Sequence, residues 1–260
     1  MHQNYSNIMN DPKSFKSHIP NLITSVNLLI GCISISLSFQ NKDHLLLASI
    51  LIFVAGIFDF FDGMAARVLH AYSEIGKMLD SLADVVSFGV APSAILYKLL
   101  IISINPENTL NAPELLGWLE QVIPYTAFLI AIFSAFRLAK FNLDERQVNS
   151  FIGIPTPANA FLIASLPFIL HDNIVLQGLI LRIYVLVPMI VLLSILLISD
   201  IPMISLKFKD LTYKNNKSRY ILLIISFVLL ILLRFSAVPF IFLLYIIISL
   251  IDKPQNLAKA

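Results

Sequence analysis

The sequence predicts an all-α protein, a polytopic membrane helical bundle of about eight transmembrane helices with both termini cytoplasmic. Three observations predict it. Of 260 residues, 58% are hydrophobic and only 13% are charged, where a soluble domain carries about 25% charged residues, and the mean hydropathy is +0.84. The apolar residues gather into stretches near the ~20 residues that cross a bilayer core. Lys and Arg are distributed unevenly between the segments joining those stretches. This composition excludes a disordered chain, a basic nucleic-acid-binding domain and an ordinary soluble enzyme. A net charge of +2 points to no nucleic acid or other strongly charged partner.

Eight stretches qualify, taken in chain order: 19–39, 45–68, 77–102, 118–140, 155–171, 177–198, 219–234 and 236–251. The first follows a polar segment and is too long for a signal-peptide core, so no cleavable leader is expected. The second ends, and the third begins, in aspartates. The fourth ends in Arg137 and Lys140. The fifth is short; Pro155 and Pro157 suit its start and Pro167 suits a kink. The last two are divided only near Arg234 to Ser236. With the amino terminus inside, all 18 Lys and Arg except Lys42, Lys98, Arg182 and Arg234 fall on the inner side. The outer loop 103–117 holds Glu107 and Glu114 and no basic residue. Both termini inside requires an even number of spans.

Acidic groups within these stretches carry the chemistry. Asp59 and Asp62 are spaced i,i+3, and Asp80 and Asp84 i,i+4, so each pair shares one helix face. Span two runs inward and span three outward, which sets all four carboxylates at one depth near the inner face. One carboxylate at the centre of a membrane helix costs about 2.5–3.5 kcal/mol, and four repel one another. Arg67 and Lys77 are too few to neutralise them. An all-oxygen cluster without His or Cys suits Mg²⁺, Mn²⁺ or Ca²⁺, and two such ions can clamp a displacement at phosphorus. Gly63, Ala66 and Gly76 nearby suit close helix packing or the approach of a flat or phosphorylated ligand.

The spacing Asp62-Gly63-x2-Ala66-Arg67-x8-Gly76-x3-Asp80-x3-Asp84, led by Asp59, resembles the signature of the CDP-alcohol phosphatidyltransferase family at every fixed position. Further stretches resemble one subgroup, the integral-membrane phosphatidylserine synthases: Ile19–Thr24, Ser81–Pro92, Phe136–Asn142 and Gly153–Pro157. The likeness covers residues 19 to about 160. Lys140 stands where that subgroup often has Arg, which keeps the charge without the two-pronged donor.

The resemblance implies a six-helix core extended by two helices, and a reaction. The hydroxyl of L-serine attacks CDP-diacylglycerol to give phosphatidylserine and CMP. Asp59, Asp62 and Asp80 would hold two divalent cations, Mg²⁺ or Mn²⁺, with Asp84 completing the second site and acting as general base. Gly63 and Ala66 would pack on the cytidine, Arg67 would contact phosphate, and Gly76, Asn21 and Thr24 would lie near the nucleotide. Arg137 and Lys140, one helix face at i,i+3, suit an anionic acceptor, and Asn142 adds a polar contact. The carboxylate of serine fits that pair, as would the phosphate of glycerol 3-phosphate or an inositol phosphate; the subgroup stretches favour serine.

The chain then divides into a cytoplasmic segment 1–18, a catalytic transmembrane core 19–200, a basic cytoplasmic loop 201–218, and two further helices with a tail, 219–260. The loop carries Lys207, Lys209, Lys214 and Lys217, beside Arg219, suited to anionic lipid. The added helices hold no acid and are expected to stand outside the chemistry, as a structural addition or a subunit interface. Cys32 is expected to pack, and the five histidines form no ligand spacing. The family suggests a homodimer in the cell (inner) membrane, with its site at the cytoplasmic face. A cation-coupled transporter is the other class in which intramembrane aspartates occur, but its site belongs near the midplane between repeats, and no repeat is visible here.

Overall fold

The structure, a computed structural model, describes residues 12–104, 117–143, 151–204, 212 and 216–251. It is a bundle of helices. Helix α1 is Pro12–Ser38 and α2 is Leu45–Val68. Helix α3, Glu74–Asp84, runs through a wide π turn at Val85–Val90 into α4, Ala91–Ile104. Helices α5, Gly117–Val122, and α6, Leu129–Leu143, are joined by a tighter 3₁₀ turn at Ile123–Phe128. Helix α7 is Thr156–Asp172, α8 is Ile174–Ile180 and α9 is Ile183–Ile198. Helices α10, Lys217–Leu233, and α11, Val238–Ile251, complete it.

Each expected span is largely helical, but the sixth, 177–198, is broken at Leu181 and Arg182. Among the described residues, five stretches can cross a membrane by length and composition: His18–Ser38, Lys42–Val68, Glu74–Ile104, Glu120–Leu143 and Lys217–Ile251. The pair α8 and α9, bent by 72°, makes a sixth. Helix α7, at 17 residues, sits at the short limit for a span, about 17. Its start is as expected: Pro155 caps it, Pro157 lies in its first turn and Pro167 lies inside it.

The stretch Lys217–Ile251 does not run straight. Leu222 and Tyr245 line one cavity, yet on a straight helix, at about 1.5 Å per residue, they would stand more than about 30 Å apart. The chain reverses at Arg234, whose φ of 50° breaks the helix. α10 and α11 therefore form a hairpin, as two spans require. Phe235 at its tip stacks on Phe168 of α7, with centroids 3.8 Å apart and planes 9° from parallel, and lies 5.5 Å from Phe53 of α2.

The core follows from which faces are apolar on both sides. Helix α4 and the π turn run through the centre, where Phe88, Ile95, Leu96, Leu99 and Leu100 are sealed in. Ile52 of α2, Ile130 of α6, Ile163 of α7 and Leu186 and Ile190 of α9 close around them. Several buried serines satisfy their hydroxyls on backbone carbonyls, some of them across helices: Ser34 donates to Ala48 O at 2.8 Å and Ser87 to Asn27 O at 3.1 Å. Outward faces are apolar as well, notably Phe227, Ile231 and Leu232 of α10, which suits a lipid solvent. Cys32 departs from expectation: it is exposed on the outer face of α1 rather than packed inside.

One element was not expected. Phe151–Ile152 (β1) and Pro202–Met203 (β2) pair antiparallel as a two-residue ribbon. Gly153 follows at φ +76°, and a side chain there would strike the Leu197 and Ser199 carbonyls at 2.8 and 2.9 Å. Only glycine suits both the angle and the space.

Candidate functional site

The connection between α2 and α3 is short and sharply turned, with His70 at φ 50°. Ser73 caps α3, its side chain accepting the Gly76 N–H at 3.0 Å, and Glu74 suits the positive start of the helix. The hairpin therefore sets the end of α2 beside the start of α3. That is why aspartates on two helices meet: Asp59, Asp62 and Asp80 offer oxygens all within 4.8 Å of one another.

Asp84 stands one turn further along α3. Its carboxyl reaches that of Asp59, and its Oδ1 is buried without a hydrogen-bond partner. A buried acceptor with no donor is costly. With three carboxylates beside it and only oxygen donors around, a hard divalent cation suits this set. Asp59, Asp62 and Asp80 could hold such an ion.

Helix α1 completes one wall. Thr24 is buried, and its hydroxyl donates to Asp62 Oδ2 at 2.7 Å, while also lying 3.0 Å from Pro20 O. That bond crosses between helices and fixes one carboxylate oxygen of the cluster. Asn21, one turn earlier, rests on Gly76: a Cβ at Gly76 would meet Asn21 Oδ1 at 2.8 Å and Ser73 Oγ at 2.9 Å. The glycine lets α1 and α3 close to this distance. Gly63 has open space in front of it, with Arg67 the nearest side chain at 3.9 Å.

A cavity of about 490 Å³ opens beside the aspartates. Asn21, Thr24, Gly63, Ala66, Arg67 and Gly76, every residue expected on the nucleotide side, line it together with Asp62 and Asp80. Sequence reasoning did not assign Tyr72, Ser73 and Glu74 to this wall, and Lys77 entered only as a nearby charge. Their signal was the cap of α3, which falls in the unassigned stretch of the spacing between Arg67 and Gly76.

The expected acceptor residues separate. Arg137 of α6 is 7% exposed, within electrostatic range of Asp84, and its Nη1 donates to Thr156 Oγ1 at 3.4 Å. Its Nε is buried without a partner. Lys140 instead lies at the surface in an ion pair with Asp200, 2.7 Å long, with both side chains exposed. Asn142 donates to Ser81 Oγ at 2.8 Å, tying the end of α6 to α3. Thr156 was not singled out as a site residue by itself; Gly153–Pro157 entered only as a matching stretch. The contacts Thr24–Asp62, Asn21–Gly76, Asn142–Ser81 and Arg137–Thr156 bring the ends of five helices to one end of the bundle. Lys207, Lys209 and Lys214 of the basic loop lie outside the described residues, as do most of 1–18 and the tail 252–260.

The chain is similar to known proteins. A family model, CDP-alcohol phosphatidyltransferase, matches residues 17–198. The chain is 34% identical over 157 residues to a CDP-diacylglycerol–serine O-phosphatidyltransferase of Bacillus subtilis (strain 168), covering 58% of this chain and 76% of that one. It is 31% identical over 234 residues, 89% of each chain, to a protein of the same name from Helicobacter pylori (strain 26695). It is 34% identical over 165 residues, 61% of each chain, to an archaetidylserine synthase of Methanothermobacter thermautotrophicus.

Proposed function

The chain belongs to the CDP-alcohol phosphatidyltransferase family, and from that premise we propose that it is a phosphatidylserine synthase of the cell (inner) membrane. It transfers the phosphatidyl group of CDP-diacylglycerol to the hydroxyl of L-serine and releases CMP, at the cytoplasmic face, where most Lys and Arg fall. The observation that carries this reading is the cavity that the six nucleotide-side residues line together with Asp62 and Asp80, beside Asp59. The names of the relatives support serine as acceptor.

Each side chain then has a task. Asn21, Gly63, Ala66, Arg67 and Gly76 receive the cytidine and its diphosphate: the small residues let a flat base approach, and Arg67 meets phosphate. Thr24 holds Asp62 in place. Asp59, Asp62 and Asp80, with Asp84, would hold two divalent cations, Mg²⁺ or Mn²⁺. When bound, such ions stabilise negative charge on the diphosphate and the leaving CMP. Arg137 grips the serine carboxylate, a pairing that favours two parallel hydrogen bonds. Lys140 adds attraction from the rim, and Asn142 keeps α6 against α3. Serine Oγ bonds to the phosphorus that carries diacylglycerol; the bond from that phosphorus to the CMP oxygen breaks, and CMP leaves with the electron pair. The hydroxyl proton passes to Asp84. The protein acts as a homodimer, which mass measurement in detergent checks.

The test is CMP release by the purified protein. It receives CDP-diacylglycerol, Mg²⁺ or Mn²⁺, and serine, glycerol 3-phosphate, inositol or inositol phosphate in separate reactions. CMP that appears with serine alone, and disappears with a chelator, is the expected result. Release with another acceptor would keep the chemistry and overturn serine. Failure of every acceptor to elicit CMP from a folded, metal-binding protein would overturn the enzyme assignment.

A further inference from the structure

The C-terminal hairpin was expected to stand apart from the chemistry, yet it reaches the acceptor side through a continuous set of bonds. Tyr245 and Ser249, i,i+4 on one face of α11, are 9% and 0% exposed. Both address the same residue. The Tyr245 hydroxyl donates to Ile204 O at 3.1 Å, and Ser249 Oγ accepts the Ile204 N–H at 3.1 Å. Two side chains thus satisfy both backbone groups of Ile204, as a neighbouring strand would.

Ile204 directly follows β2, and β2 pairs with β1: Phe151 opposes Met203 and Ile152 opposes Pro202. The Gly153 N–H donates to Ile201 O at 2.9 Å, and Ile154 N–H reaches Leu196 O at 3.4 Å. Three residues beyond the Gly153 amide, Thr156 accepts from Arg137. Tyr245 itself lies within electrostatic range of Arg137. The tip of the hairpin is held separately, by Phe235 against Phe168 and Phe53, so the hairpin is anchored at both ends.

We propose that the C-terminal hairpin is a brace for the acceptor side of the site, in which Tyr245 and Ser249 are positioning residues that hold the β1–β2 ribbon, and through it Thr156 and Arg137, in place. This rests on the reading of Arg137 as the group that receives the acceptor. Among the described residues, the donor cavity is lined by α1, α2, α3 and the turn 71–73, and neither Tyr245 nor Ser249 bonds to them. The brace therefore acts on one substrate and not the other.

The test uses the full chain in lipid nanodiscs. Tyr245→Phe keeps the aromatic wall of the apolar cavity between α7 and the hairpin and deletes only the hydroxyl. Ser249→Ala deletes the second bond, and Ser249→Thr retains a hydroxyl. The double variant Tyr245→Phe/Ser249→Ala is expected to raise the KM for serine at least fivefold, while the KM for CDP-diacylglycerol stays within twofold. Ser249→Thr should remain close to the unmodified protein. A second measurement is independent of turnover: backbone hydrogen exchange of peptides covering 151–156 and 201–204 should quicken at least tenfold in the double variant. Unchanged exchange would overturn the brace, as would equal rises in both KM values. Should the unmodified protein prefer another acceptor, the functional reading fails instead, and the brace is scored on exchange and on the KM for that acceptor.

Discussion

The proposed donor and acceptor sides of this site are built on different plans. The donor side comes from one short hairpin and its neighbour. Asp59 to Asp80 lie within a single turn-linked pair, α2 and α3, and α1 adds Asn21 and Thr24. The acceptor side is assembled from distant pieces. Arg137 comes from α6 and Thr156 from the start of α7; that start hangs on a two-residue ribbon whose partner strand lies some fifty residues on. A site made of contiguous chain is specified by helix periodicity and a turn. A site made of scattered chain depends on every segment that holds it. The second kind is the more sensitive to changes made far away.

Four substitutions break or sharpen that contrast. The largest effect is expected at the shared centre. Asp80→Asn should cut turnover at least about a thousandfold, roughly 4 kcal/mol at 1.36 kcal/mol per decade, while the protein still inserts and elutes as one species. Wild-type-like CMP release from that variant would remove the carboxylate cluster from the chemistry. Next is Arg137→Ala, which deletes charge-assisted hydrogen bonds worth about 1.5–3 kcal/mol. The KM for serine should climb about ten- to a hundredfold with the KM for CDP-diacylglycerol nearly fixed. A rise in both would mean that the two sides are not separable. Thr24→Val takes away the donor to Asp62 Oδ2. Loss of such a supporting bond weakens metal binding about ten- to a hundredfold, so the Mg²⁺ concentration for half-maximal activity should rise toward the lower end of that range, leaving serine dependence alone. The smallest effect is expected for Lys140→Ala. An exposed ion pair is worth about 0–1 kcal/mol, so the KM for serine should shift less than about threefold. A change approaching that of Arg137→Ala would bring Lys140 into the pocket.

The two sides also differed in how much the sequence disclosed. Asp59, Asp62, Asp80 and Asp84 were legible because helix spacing puts each pair on one face and antiparallel spans put both pairs at one depth. Apolar length alone marked the helices, down to Pro155 and Pro157 at the start of α7. Partners far apart in sequence were not legible. Nothing in hydropathy joins Thr24 to Asp62, or Lys140 to Asp200, because those pairs are set by how whole helices cross. The ribbon was invisible for a further reason: two residues carry no alternation to detect. Tyr245 and Ser249 were hidden in the most apolar part of the chain, where a hydroxyl reads as packing. The bend between α8 and α9 was also missed, because Leu181 and Arg182 interrupt the apolar run too briefly to show.

The π turn at Val85–Val90 divides a helix with two occupations. Before it, α3 carries Asp80 and Asp84 and buries only Ala83 among its residues; after it, α4 buries most of its length. A π turn holds one residue more than an α turn, which resets the angular phase of everything beyond it. The carboxylate stripe and the packing stripe need not share a helical register. Deleting one residue from this turn would rotate Asp84 by roughly 100°, the angle of one α-helical residue at 3.6 per turn, relative to a core that Phe88 and Leu96 hold still. The turn thus works as a phase shifter: it lets the bundle choose its core and its carboxylate geometry independently, along one unbroken span.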